Sequence, residues 1–222
     1  MFPVSDVIPS RTTPYVTVSL MALNGLAFLY QLQLDSPGVQ LLWQLCGLVP
    51  ASFSWTTLLT SMFLHEGWVH MLGNMLYLWI FGDNVEDSLG HAGFLLFYIC
   101  CGAAAALGQA AIYPASTIPM IGASGAIAGV MGAYFLMYPH SRILTVVFLV
   151  VFLDMVEIPA IFFLGFWFVK ELFNGVGSLG TQSMSGGVAF WAHIAGFATG
   201  GLVGLIWRLR HGGRRTHWEG RQ

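Results

Sequence analysis

The sequence predicts an all-α, polytopic membrane protein, a bundle of six transmembrane helices. Composition, charge spacing and the sidedness of the basic residues carry that expectation. Of 222 residues, 56% are hydrophobic and only 8% are charged, against about 25% charged in ordinary soluble domains. Residues 12–34, 36–65, 67–82, 88–141 and 172–207 contain no Asp, Glu, Lys or Arg, and a membrane-crossing helix needs about 20 such residues. With six spans, Arg11, Arg142, Arg208, Arg210, Arg214, Arg215 and Arg221 fall on one side. The positive-inside rule makes that side cytoplasmic, together with both termini. Lys170 is the exception, near the outer end of the fifth span, where its stem can snorkel to the interface.

Residues 1–14 read as a cytoplasmic segment with no removable signal peptide. The membrane domain covers 15–207. Its first span is 15–34, ending at Asp35. The apolar stretch 39–64 contains Pro50, Ser52, Ser54, Thr56 and Thr57, which suggest an irregular, partly embedded loop. A second span at 67–83 is closed by the acidic turn GDNVEDSLG, and a third runs over 91–113 before Pro114 and Pro119. The fourth begins at Ser124 and ends before Pro139. Residues 143–153 lead past Asp154, Glu157 and Pro159 into a single fifth helix through the aromatic run 160–169. Residues 174–187 are a linker by composition, expected to form a mobile cap. The sixth span is 188–207, and 208–222 is a basic cytoplasmic tail suited to lipid headgroups.

Net charge is −2 with few basic residues, which leaves no surface for nucleic acid. Cys46, Cys100 and Cys101 show neither a disulfide framework nor metal-ligand spacing. Polar residues inside spans are costly and therefore functional candidates. His70 and Asn74 share one face of the second span, His193 lies in the sixth, and Ser124 heads the fourth. At about 1.5 Å per residue, Ser124 and His193 each lie about 20 Å above the cytoplasmic boundary, and His70 about 18 Å. The three are nearly level. Small residues let their helices approach: Gly125, Gly129 and Gly132 on the fourth span, Gly196 and Gly200 on the sixth.

A serine hydroxyl needs a base to become a nucleophile, and a neutral imidazole is the usual one. Ser124 and His193 fit those two roles. No acidic residue is expected level with His193, because Asp154 and Glu157 lie at the cytoplasmic end; the pair reads as a dyad without an orienting carboxylate. The Ser124 backbone N–H, Asn74 and His70 are candidate donors to a developing oxyanion. Each residue also has a plainer reading. Ser124 alone suits close helix packing, His70 and Asn74 suit an interhelical hydrogen-bond pair, and His65 beside Glu66 suits a loop contact.

These residues resemble the motifs of the rhomboid family of intramembrane serine proteases. The likeness rests on H-x-x-x-x-H-x-x-x-N at His65, His70 and Asn74, GASG at Gly122 to Gly125, and A-H-x-x-G-x-x-x-G at Ala192, His193, Gly196 and Gly200. The motifs occur in the family's order across about residues 15–207. The resemblance implies a six-helix rhomboid-like core, a Ser124/His193 dyad acting through an acyl-enzyme, and an oxyanion site with His70 and Asn74. It implies supporting places for His65, Gly122, Gly125, Gly196 and Gly200. It also implies cleavage of single-pass transmembrane proteins within or beside their membrane segment, with no metal or other cofactor.

Two positions depart from the family pattern. Trp55 is followed by Thr56 where some relatives have Arg, and Ala128 stands where some have a tyrosine that stacks on the histidine. The second leaves His193 less constrained. The rival readings are a catalytically silent rhomboid-like protein that binds transmembrane helices, and a transporter or metal protein using His65, His70 and His193. The compact form favours a prokaryotic plasma membrane.

Overall fold

The computed structural model describes residues 2–149, 152–179 and 189–211. It is mostly helical: α1 (Tyr15–Gln31), α2 (Ser36–Cys46), the short α3 (Thr57–Thr60), α4 (Trp68–Leu89), α5 (His91–Ile112), α6 (Ser124–Met137), α7 (Ala160–Ser178) and α8 (Phe190–His211). Each of the six expected spans overlaps one of α1, α4, α5, α6, α7 and α8. Among the described residues, α5, α7 and α8 are long and apolar enough to cross a membrane, while α1 and α6 are shorter apolar helices.

Helix α6 is the centre of the bundle. Every residue from Gly125 to Tyr134 is buried, so no face of it is left for lipid. Helix α8 packs against it backbone to backbone. A Cβ at Gly196 would collide with the Gly125 carbonyl oxygen, and one at Gly200 with that of Gly129. The aromatic core around this pair includes Phe81, Phe94, Tyr98 and Tyr134, all nearly or fully buried.

Three expectations need correction. The chain is not all-α. Strand β1 (Phe2–Asp6) pairs antiparallel with β2 (Arg142–Leu149), which pairs antiparallel with β3 (Phe152–Pro159). The stretch expected to lead into the fifth helix is thus a hairpin, and that helix begins only at Ala160. The physical reason lies in the period: Ile143 and Thr145 are buried, whereas Arg142 is exposed and Leu144 and Val146 are half-buried. That is the alternation of a strand with one covered face. Arg142 donates to Glu157 across the hairpin at 3.0 Å.

The acidic segment after the second span is helix, not turn. Helix α4 continues to Leu89 and ends at Gly90, whose φ of 72° glycine adopts without strain. Its carboxylates complete α1, whose first N–H groups have no acceptor within their own helix. Glu86, 1% exposed, accepts from the backbone N–H of Val16 at 2.9 Å and of Thr17 at 2.8 Å, and from the Thr17 hydroxyl at 2.7 Å. Asp87 accepts from the N–H of Arg11 and Thr12, and Asp83 from the Ser10 hydroxyl.

The stretch 39–64 is less irregular than expected. Asp35 caps α2 by accepting from the Gly38 N–H at 2.9 Å, and only two short 3-10 turns and α3 follow. The first residues of the expected linker, 174–178, are the last turn of α7; its Gly175 lets α7 approach Ile194 and Trp191 of α8. The rest of the expected cap, from residue 180 on, and the tail beyond His211 lie outside the described residues. The sheet, the N-terminal segment and the end of α4 share one end of the bundle with the end of α8, where the Trp207 indole donates to the Ser88 carbonyl at 3.2 Å. Arg11, Arg142, Arg208 and Arg210 gather at that end.

Two outcomes are expected. Gly200→Val places a branched side chain against the Gly129 backbone and should cost about 1–3 kcal/mol or more, read as a lower Tm in detergent. The second concerns Asp6, which accepts from the Tyr134 hydroxyl at 2.6 Å. Burial pushes its carboxyl up from 3.8 to about 7, and the Asp83 charge adds to that while the Tyr134 bond opposes it. A raised folded-state pKa contributes stability below the unfolded value that is lost as pH rises through about 7. Asp6→Asn should therefore raise Tm at pH above about 7 and change it little below about pH 4; an equal shift at both would contradict this origin.

Candidate active site

The chain enters α6 through Gly122, whose φ is 122°, a conformation that side-chain-bearing residues rarely adopt. Its N–H donates to the Ser61 carbonyl at 2.9 Å. A Cβ there would lie 2.8 Å from Cε1 and Nε2 of His70, so the glycine lets that imidazole approach the backbone just before Ser124. Ser124 is the first residue of α6, where backbone N–H groups lack intrahelical acceptors and the helix dipole is positive.

The α6–α8 contact brings Ser124 opposite His193. The Ser124 hydroxyl lies 2.9 Å from His193 Nε2. On the far side of the ring, His193 Nδ1 lies 2.8 Å from Oε2 of Glu171, which is 3% exposed. The second carboxylate oxygen of Glu171 pairs with Lys170 Nζ at 3.1 Å. A carboxylate only accepts, so Glu171 selects the tautomer with hydrogen on Nδ1 and leaves the Nε2 lone pair facing the serine. Trp167, one turn before Glu171, sets its ring 5.9 Å from the imidazole at an interplanar angle of 37°.

This overturns two expectations. His193 does have an acidic partner, and its ring is not loosely held for want of a tyrosine at Ala128. Both partners come from α7. The same depth arithmetic that aligned Ser124 and His193 would have found Glu171: eleven residues from Ala160, at about 1.5 Å each, place it about 16 Å above the sheet end. It was missed because the aromatic run suggested a helix ending near 169.

A cavity of about 800 Å³ opens over the serine, and His70, Asn74, Tyr77, Trp167, Ser124 and His193 are among its lining residues. Asn74 is 8% exposed, and its Nδ2 has no partner among the described residues. His65 is fully buried behind the cavity. Its N–H donates to Gln31 Oε1 at 3.0 Å, its carbonyl accepts from Gln31 Nε2 at 2.9 Å, and its ring meets that of His70 edge-on at 5.1 Å. Its place is behind His70 rather than beside Ser124. Gly125 packs against Ala105, and Gly196 and Gly200 against the α6 backbone. Trp55, of the departing Trp-Thr pair, is 73% exposed.

A helical bundle of this apolar character, with a serine, an imidazole and unpaired amide hydrogen inside it, belongs to the class of membrane proteins with a polar site within the bundle. The chain belongs to the rhomboid family, whose domain model matches residues 52–210. It is similar to the rhomboid protease GluP of Bacillus subtilis, 42% identical over 37% of this chain and 16% of that one. It is also similar to the putative rhomboid protease YdcA of Bacillus subtilis, 37% identical over 39% of this chain and 43% of that one. RHOMBOID-like protein 4 of Arabidopsis thaliana is 32% identical over 69% of this chain and 34% of its own length. The chain thus spans less than half the length of these relatives.

Proposed function

We propose that this protein is an intramembrane serine endopeptidase in which α1, α4, α5, α6, α7 and α8 all cross the membrane. The observation that carries the reading is the 2.9 Å approach of the Ser124 hydroxyl to His193 Nε2 at the wall of a cavity inside an apolar bundle. As Ser124 Oγ bonds the scissile carbonyl carbon, its proton passes to Nε2. The negative oxygen that forms is met by the N–H of Ser124, by Asn74 Nδ2 and by His70. Collapse breaks the C–N bond, and His193 returns the proton to the leaving amine. Water then attacks the acyl-Ser124 with His193 again as base; the acyl C–Oγ bond breaks, His193 returns the proton to Ser124 Oγ, and the new C-terminal carboxyl group leaves.

The substrates are single-pass transmembrane proteins, cut within or beside the membrane segment and admitted laterally from lipid. Two relatives named as rhomboid proteases support this reading. Other relatives carry mitochondrial and chloroplastic names, so family membership implies a membrane and not a compartment. The compact form favours a prokaryotic plasma membrane, with the end of the bundle that carries Arg11, Arg142, Arg208 and Arg210 on the cytoplasmic side.

Wild-type protein in liposomes is expected to cleave a single-span substrate and to react with a fluorophosphonate. Ser124→Ala and His193→Ala should abolish both. Folded wild type that does neither would shift the reading to a silent binder of transmembrane helices. Asn74→Ala should lower kcat about 10²-fold while leaving KM and Tm near wild type; a change in KM alone would remove Asn74 from the oxyanion site.

A further inference from the structure

Resting on the protease reading, we propose that Glu171 is a positioning residue that completes a Ser124–His193–Glu171 relay, with Lys170 as its clamp. Four observations converge. Glu171 is almost fully buried yet charged, which is costly unless the charge is paired and hydrogen-bonded. Its two oxygens are divided between two partners, Nδ1 of His193 at 2.8 Å and Nζ of Lys170 at 3.1 Å. His193 lies in line between this carboxylate and the serine, with Nε2 2.9 Å from the hydroxyl. Trp167, on the same face of α7 one turn earlier, covers the imidazole.

The consequence is chemical. Both protons of the imidazolium formed during attack have a place: the one received from Ser124 on Nε2, and the one on Nδ1 donated to Glu171. The carboxylate does not take that proton; it fixes the tautomer and stabilises the positive ring. Lys170, itself half-exposed, meets the other carboxylate oxygen at 3.1 Å, so each oxygen of Glu171 has a partner. Helix α7 therefore contributes to the reaction as well as to the wall.

The test compares Glu171→Gln and Glu171→Asp. Glutamine keeps the shape but offers one acceptor; with Lys170 on that oxygen, its NH₂ faces Nδ1 and selects the tautomer with hydrogen on Nε2. Aspartate is shorter but keeps the charge. Expected is a loss of fluorophosphonate labelling of about tenfold or more in Glu171→Gln, with kcat falling and KM unchanged, and a smaller loss in Glu171→Asp. A packing role gives the reverse order, because glutamine fills the space and aspartate does not. Glu171→Gln within about twofold of wild type overturns the proposal.

A second measurement reads it without turnover. In ¹⁵N-histidine-labelled wild type, His193 should carry its hydrogen on Nδ1, and Glu171→Gln should lose it at unchanged Tm. Absence of that hydrogen in wild type overturns the relay. Its presence in a protein that shows no Ser124-dependent labelling overturns the protease reading alone.

Discussion

The contact on which the rest of the structure depends is the apposition of the α6 and α8 backbones. Neither helix has a hydrophobic reason to seek the other in lipid, where tails are as apolar as leucine. What holds them is dispersion at close range, available only because Gly196 and Gly200 carry no Cβ to meet the Gly125 and Gly129 carbonyls. That approach sets the separation and the register of the two helices together. Ser124 sits at the start of one and His193 one turn into the other, so a hydrogen bond of 2.9 Å between them is a consequence of helix packing. A larger residue at the crossing would move the site as a unit.

The polar groups of the bundle fall into two sets with different duties. At the sheet end, Glu86 and Asp87 supply acceptors to the backbone of Arg11, Thr12, Val16 and Thr17. The bonds to Val16 and Thr17 satisfy donors that the start of α1 leaves open, and those to Arg11 and Thr12 hold the segment before it. Around the cavity the accounting is left incomplete: Asn74 Nδ2 and both ring nitrogens of His65 are buried without a partner among the described residues. On the proposed reading of Ser124 as nucleophile, the open Asn74 donor is where a reacting oxygen gains most, since desolvation is already complete before it arrives.

Much of this was legible in the sequence. The start of α6 at Ser124, its end before Pro139 and the run of α5 follow from glycine, proline and unbroken apolar stretches. The depths of Ser124 and His193 followed from counting residues. What was not legible depended on partners far away in the chain. Ile143 to Val147 are apolar enough to lead into a span, and only pairing with residues 2–6 and 154–158 makes them strand. The acids of GDNVEDSLG resemble a turn until α1 arrives to use them. Glu171 looked like the edge of a span because its partner is 22 residues on, in another helix.

The caps on α1 impose an order on assembly. Its starting N–H groups are met by side chains about 70 residues later, and β1 finds its partner strand only near residue 146. During synthesis the first helix therefore leaves the ribosome with an unfinished end, and the five residues before Val7 wait unpaired until more than half the chain has emerged. The strand made first is thus paired late. Closure of the sheet over the end of the bundle therefore follows the emergence of α1, α4, α5 and α6.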